Sequence, residues 1–238
     1  MKLAILGYGK MGKTVEHIAI SRGHNIVYKT SDDLDMDRLK QAEIAIDFST
    51  PEAAYLNITT CLKNNIAIVS GTTGWLDQFE DAIKVCNLKA GKFLYASNFS
   101  IGVNVFFELN SQLAKMMSGL KEYDVKLKEV HHLEKKDSPS GTAISLADHI
   151  IKETEYTDWS YPPEDSKKSI SIEAERKAGV FGFHDVTYDS DIDTITISHN
   201  AKSRKGFAHG AVIAAEWILK QHDGVYSMKD VLQLNSST

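Results

Sequence analysis

The sequence predicts an α/β protein in two parts: an N-terminal Rossmann-like doubly wound parallel sheet, then a C-terminal α+β domain with a mixed open sheet. Three observations predict it. Short runs rich in Ile, Val, Leu and Phe recur roughly every twenty residues through the first hundred, with helical patterns between them. A glycine-rich turn, Gly7-Tyr8-Gly9-Lys10-Met11-Gly12, joins the first run to the first helical pattern. Near residue 100 the pattern changes to longer, alternating strands.

The first part is built from runs at 3–6, 25–28, 44–48, 66–70 and 93–96. Short apolar runs of this kind fit strands buried on both faces of a parallel sheet. Between them Met11, Val15, Ile18 and Ala19 share one helical face, as do Ala54, Ile58, Cys61 and Leu62, and then Phe79, Ile83 and Cys86. Right-handed crossovers would connect these βαβ units.

The second part opens with a helical pattern over 105–117 and an alternating strand over 125–130. A loop follows, then a helix over 143–153. Residues 155–168 include Tyr161-Pro162-Pro163 and read as a surface loop. Further strands are expected over 169–176, 183–188 and 194–199; the last alternates cleanly, as a strand with one covered and one open face does. A closing helix spans 209–221. The expected division is a dinucleotide-binding domain over 1–101, with 210–238 returning to it, and a substrate-binding and oligomerisation domain over 102–209.

Composition narrows the function. With 238 residues, 42% hydrophobic and 25% charged, the chain can bury a substantial core. A net charge of −5 argues against a duplex nucleic-acid partner. No apolar run approaches a membrane span, and the run at 1–6 is too short for a signal peptide. Cys61 and Cys86 lie in helical patterns without metal-ligand spacing, so no metal is expected and a reducing cytoplasm is the expected location.

The Gly7–Gly12 turn has the G-x-G-x-x-G form in the context that form requires, after a strand and opening a helix. Its glycines permit a tight turn, close approach of a pyrophosphate, and close packing of helix on strand. The helix N-terminus favours the phosphates. The ribose-reading position is divided: Asp32 argues for NADH, whereas Lys29 and Lys10 could pair with the 2′-phosphate of NADPH. Asp47-Phe48-Ser49-Thr50-Pro51-Glu52 starts a helix, capped by Ser49 or Thr50, and also falls where a cofactor crevice is lined. Gly71-Thr72-Thr73-Gly74 and Ser97-Asn98-Phe99-Ser100 follow the fourth and fifth strands.

The densest chemistry lies in His131-His132-Leu133-Glu134-Lys135-Lys136-Asp137-Ser138-Pro139-Ser140-Gly141-Thr142. Two imidazoles, two ammonium groups and a helix start fall between two rigid elements. A dianionic substrate needs fixed cations and N–H donors, and His132, Lys135 and the amides of Gly141 and Thr142 could supply them. Arg176-Lys177 and Ser203-Arg204-Lys205 read as solvated faces that could also attract an anion.

Taken together these segments resemble the dihydrodipicolinate reductase family, nicotinamide-dependent reductases of lysine and diaminopimelate synthesis. The resemblance runs through Gly7–Gly12, 47–52, 71–74, 98–104, 129–142 and the closing 228–235, and the 129–142 loop is its specific element. It implies His131 as the acid/base histidine and Lys135 as the proton donor. His132, Ser140, Gly141 and Thr142 would contact the substrate carboxylates, with Thr73 near the reacting ring. Cofactor contacts would come from Gly7, Tyr8, Gly9, Lys10, Met11, Gly12, Lys29, Asp32, Gly71, Thr72, Thr73, Ser97, Asn98, Phe99 and Ser100. It also implies NADH or NADPH as cofactor and a homotetramer formed through the second sheet. Val130, Lys136 and Arg176-Lys177-Ala178 depart from the family pattern, which weakens any role for the last. Two other readings stand beside it. A non-catalytic dinucleotide sensor would lack a proton donor. A semialdehyde dehydrogenase would need an activated cysteine.

Overall fold

The computed structural model describes residues 1–163, 168–203 and 205–234. The chain divides into two compact units, one formed by Met1–Ile101 with the chain from Lys205, the other by Gly102–Arg204.

The first unit runs β1 (Lys2–Leu6), α1 (Lys10–Ser21), β2 (Asn25–Thr30), α2 (Met36–Leu39), β3 (Ile44–Asp47), α3 (Pro51–Lys63), β4 (Ala67–Ser70), a 3-10 turn at Leu76–Gln78, α4 (Phe79–Leu88) and β5 (Lys92–Tyr95). The second holds α5 (Ile101–Met117, crossing the unit boundary), β6 (Asp124–His131), α6 (Gly141–Glu153), β7 (Asp158–Ser160), β8 (Ser169–Arg176), β9 (Phe183–Asp189) and β10 (Thr194–Asn200). The chain then adds α7 (Lys205–Ile218), β11 (Gly224–Tyr226) and α8 (Met228–Val231) to the first unit.

The first sheet is all parallel, in the order β11-β5-β4-β3-β1-β2. Alternation explains why its strands are apolar throughout. Leu3, Ile5, Ile44, Ile46 and Val69 face a cluster shared with α1 and α7. Ala4, Leu6, Ala45, Ile68 and Phe93 face Ile58, Cys61, Leu62 and Trp75 on the other side. The returning helix is held by chemistry as well as packing. Glu216 of α7 accepts two 2.7 Å hydrogen bonds from Arg22 and lies 2.6 Å from His24 Nε2. Gly210 lets α7 lie directly on the 97–100 segment, where a Cβ would sit 1.7 Å from the Phe99 carbonyl oxygen.

The second sheet is mixed, in the order β10-β9-β6-β8-β7. β9 is antiparallel to β10 and β6, while β8 is parallel to β6 and β7. Val125, Leu127, Ile170, Ile172, Val186 and Tyr188 pack on Phe106, Ala114, Leu146 and Ile150 of α5 and α6. The opposite face carries Lys126, Lys128, Thr187 and Thr196, the last two joined by a 2.9 Å hydroxyl contact.

Several expectations need correction. The helix expected from 105 starts at Ile101, and the strand expected to end at 130 includes His131. The 155–168 loop contains β7, with residues 164–167 outside the described residues. β10 is an edge strand, so its apolar face is only partly covered: Ile195 remains 39% exposed, while His199 stacks on Phe106. The short elements α2, β11 and α8 were not expected, and α7 begins at Lys205, before the expected return at 210. Of the Ser203-Arg204-Lys205 cluster, Arg204 lies outside the described residues.

Candidate active site

In the first unit β1 lies between β2 and β3, so successive crossovers leave it in opposite directions. Ligands bind at such switch points, and the Gly7–Gly12 turn emerges from this one. The N–H groups of Gly7 and Tyr8 both donate to the Thr30 carbonyl, at 2.8 and 3.1 Å. Gly7 has φ +90, and a Cβ there would lie 2.1 Å from the Phe48 oxygen. A Cβ on Gly12 would lie 2.3 Å from the Gly7 oxygen. These two glycines are steric requirements of the turn. Gly9 differs, because a Cβ there would meet nothing within 4 Å. Gly9 is also the N-cap of α1 and brings no side chain to cap it. Open space beside an uncapped helix N-terminus fits a dinucleotide pyrophosphate.

The other residues proposed around the cofactor fall into different roles. Lys10 is exposed, and Met11 packs against the first core cluster. Lys29 Nζ lies 2.7 Å from Glu16 and 3.0 Å from the Tyr8 hydroxyl, which itself donates to Glu16. Hydrogen bonds from Lys29 and Tyr8 hold the Glu16 carboxyl below its ordinary pKa. Asp32 is exposed. The absence of a side chain at Gly71 accommodates the Phe48 ring, which a Cβ would meet at 2.2 Å. The Thr72 hydroxyl is buried against Asp47, and Phe99 is a core residue, so these two side chains are structural. Thr73 and Ser97 are exposed, and the Ser100 N–H donates to Asn98 Oδ1 at 2.9 Å.

Asp47 is a site feature the sequence did not reveal. It is fully buried at the end of β3. Oδ1 accepts from the Ser49 hydroxyl at 2.6 Å and the Asn57 amide at 3.0 Å. Oδ2 accepts from Ser70 at 2.8 Å and Thr72 at 2.7 Å. Ser49 is thereby removed from capping α3, and Thr50 is the N-cap, without a side-chain capping hydrogen bond.

In the second unit β6 carries Glu129 and His131 on one face, and α6 starts beside them. Ser140 is the N-cap of α6: its Oγ accepts from the Ala143 N–H at 3.2 Å and lies 3.1 Å from His184 Nε2. Its hydroxyl is thus engaged in capping α6. Gly141 is exposed and Thr142 half-buried, both in the first turn of α6. His132 is half-buried, and its carbonyl accepts the Lys135 N–H at 3.1 Å. Lys135 Nζ chelates Asp137 at 2.8 and 2.7 Å, which lowers the Asp137 pKa.

Arg176 is not a solvated face. From the end of β8 it donates to the Asp137 carbonyl at 2.6 Å and reaches the Lys135 carbonyl at 3.4 Å and Glu129 Oε1 at 3.5 Å. It clamps the loop that carries Lys135. Burial pushes the His131 pKa down to about 4, reinforced by His184 and opposed by Glu129. Burial raises the Glu129 pKa, but His184, Ser140 and His131 outweigh it and hold the carboxyl at about 2. At neutral pH the site therefore combines a carboxylate, a neutral imidazole and two fixed cations. Glu129, His131 and His184 also have the composition of a metal set, with donor atoms within 4.8 Å of one another. Here Arg176 and the Ser140 N–H already engage the carboxylate in the way a cation would.

Both cysteines are buried, and burial raises both thiol pKa values, so neither is an activated nucleophile. No helix among the described residues is long and apolar enough to cross a membrane.

A switch-point glycine turn in one unit and a cluster of Glu129, His131, His184, Lys135 and Arg176 in the other have the composition of a dinucleotide-dependent oxidoreductase. The family models agree: "Dihydrodipicolinate reductase, N-terminus" matches residues 20–99, and "Dihydrodipicolinate reductase, C-terminus" matches 102–232. The chain is also 53% identical over 234 residues to a 4-hydroxy-tetrahydrodipicolinate reductase of Christiangramia forsetii, covering 98% of each. The chain belongs to the dihydrodipicolinate reductase family. In fold it is similar to the dipicolinate-bound dihydrodipicolinate reductase of Paenisporosarcina sp. TG-14, with TM-score 0.78, 21% identity, and coverage of 95% of this chain and 97% of that one. A Clostridium difficile dehydrogenase shares the fold more distantly, with TM-score 0.58, 10% identity, and coverage of 98% and 96%.

Proposed function

We propose that this protein reduces dihydrodipicolinate, formed by loss of water from 4-hydroxy-tetrahydrodipicolinate, to tetrahydrodipicolinate in lysine and diaminopimelate synthesis. The observation that carries this reading is the open first turn of α6 beside a buried neutral His131 and the Arg176-clamped Lys135 loop. A planar dicarboxylate needs such a set of fixed donors and cations. The substrate class comes from the relative at 53% identity.

Reduced nicotinamide, when bound, supplies the hydride. The conjugated C=C–C=N system takes up that hydride and one proton, and one double bond is lost. Lys135 donates the proton, and His131 accepts a hydrogen bond beside it. The amides of Gly141 and Thr142, the Thr142 hydroxyl and His132 bind the carboxylates, and the family resemblance assigns Thr73 to the ring. The first unit holds the dinucleotide on Gly7–Gly12, 71–73 and 97–100. NADH is favoured over NADPH, because Lys29 is occupied by Glu16 and Tyr8, while Lys10 still allows NADPH to bind. The family resemblance supports a homotetramer formed through the second sheet, and the free thiols support a cytoplasmic location.

A coupled assay tests the reading. Aspartate semialdehyde, pyruvate and a separate synthase generate the substrate, and absorbance follows NADH and NADPH in parallel. Synthase-dependent oxidation, faster with NADH, is expected. Absence of oxidation by folded, nucleotide-binding protein would favour the sensor reading instead.

A further inference from the structure

His131 has two ring nitrogens, and its chemistry depends on which one carries the proton. We propose that Glu129 is a positioning residue that fixes the proton of His131 on Nδ1 and leaves the Nε2 lone pair for the reaction, with His184 and Ser140 holding the carboxylate in register. The catalytic consequence rests on the reductase reading; the tautomer does not.

Four observations carry the proposal. First, Nδ1 of His131 faces Glu129 Oε2 at 3.6 Å. Among the described residues it is buried with no hydrogen-bond partner. A bare lone pair there would oppose an anionic oxygen, whereas an N–H is attracted to it, and burial strengthens both effects. Second, the carboxylate is pinned. The Ser140 N–H lies 3.1 Å from each oxygen, and Arg176 Nη1 lies 3.5 Å from Oε1. Third, His184 Nε2 stands 3.1 Å from Ser140 Oγ and 3.6 Å from Glu129 Oε2, where one N–H can serve both. Its ring meets that of His131 edge-on at 4.9 Å. Fourth, a Cβ on residue 182 would lie 3.3 Å from His131 Nε2, and residue 182 is glycine. The Nε2 side is kept clear of a side chain.

The burial that lowers the His131 pKa keeps the ring neutral at pH 7, so its tautomer is a real choice. With Nε2 unprotonated, His131 is the acceptor and Lys135 the donor. The same Glu129 also holds the Ser140 amide, so one carboxylate sets both the imidazole and the start of the carboxylate-binding turn.

The test is a long-range 15N–1H NMR spectrum of the whole protein at pH 7, with His131 assigned from its loss in His131→Gln. The Nδ1–H pattern is expected for wild type. In Glu129→Gln, whose amide can donate, the proton should move to Nε2. The kcat should then fall about 10²-fold, with the substrate KM within about threefold. Nε2–H in wild type, or a Glu129→Gln kcat within about twofold of wild type, overturns the proposal. Equal losses in kcat, KM and thermal stability, with the tautomer unchanged, would also overturn it, leaving a merely structural role. If Glu129→Gln does not fold, the wild-type spectrum still decides. Inactive wild-type protein showing Nδ1–H would refute the reductase reading and uphold the tautomer assignment.

Discussion

Two buried carboxylates stand at the ends of parallel-paired strands, Asp47 on β3 and Glu129 on β6, and both are 0% exposed. Their partners differ. Asp47 accepts four hydrogen bonds from two hydroxyls of one strand end, one hydroxyl and one amide, all neutral groups. Glu129 is surrounded by His131, His184 and Arg176, groups that carry or exchange protons. The first arrangement welds β3, α3 and β4 together beside the 71–74 turn. The second couples a carboxylate to chemistry. Burial alone does not separate the two carboxylates; the nature of their donors does.

Substitutions can break this contrast from either side. Lys135→Ala is expected to lower kcat about 10²–10⁴-fold with unchanged NADH affinity and unfolding, as read by steady-state kinetics and calorimetry. Asp47→Ala should show the reverse emphasis. It strands several buried donors and is expected to cost about 3 kcal/mol in urea unfolding. If Asp47→Ala unfolded like wild type, the weld would be refuted.

The pH dependence of stability sharpens the contrast further. The folded His131 pKa lies at about 4, below the ordinary 6.5. The unfolded chain therefore takes up this proton first. The contribution is full above pH 6.5 and is lost as pH falls towards 4, by at most about 3 kcal/mol. Glu129, held at about 2, loses its contribution at lower pH, from 4.5 towards 2. Urea midpoints between pH 7 and 4 should decline in wild type and flatten in His131→Gln. A smaller effect is expected from Thr142→Ala, a rise in substrate KM of about tenfold. The smallest is expected from Glu16→Gln: releasing Lys29 should raise the NADPH-to-NADH rate ratio several-fold, and an unchanged ratio would place the ribose-reading cation elsewhere.

The periodic elements were legible because each sequence signal had one physical cause. Continuous apolar runs gave β1 and β3 to β5, which are buried on both faces. Gly7 and Gly12 were legible because a Cβ at either position collides with backbone. The short elements α2, β11 and α8 were not, since three or four residues hold too little periodicity and β11 exists only by pairing with β5. In the site, His131 and Lys135 were visible as a motif. Arg176 and His184 were not, because they lie on β8 and β9, which the sheet register brings beside β6; Glu129 fell inside the motif but carried no role there. Ser140 and Phe99 show what a motif cannot read: the Ser140 hydroxyl caps a helix and the Phe99 ring fills the core.

The most direct test of this division of labour is calorimetric titration of pyridine-2,6-dicarboxylate, a planar stand-in for the substrate, into NADH-loaded protein. Wild type should bind it, and Thr142→Ala should bind about tenfold more weakly. A folded wild type that binds NADH and ignores the dicarboxylate would contradict the assignment of the α6 start and the Glu129 cluster as the place where substrate is held.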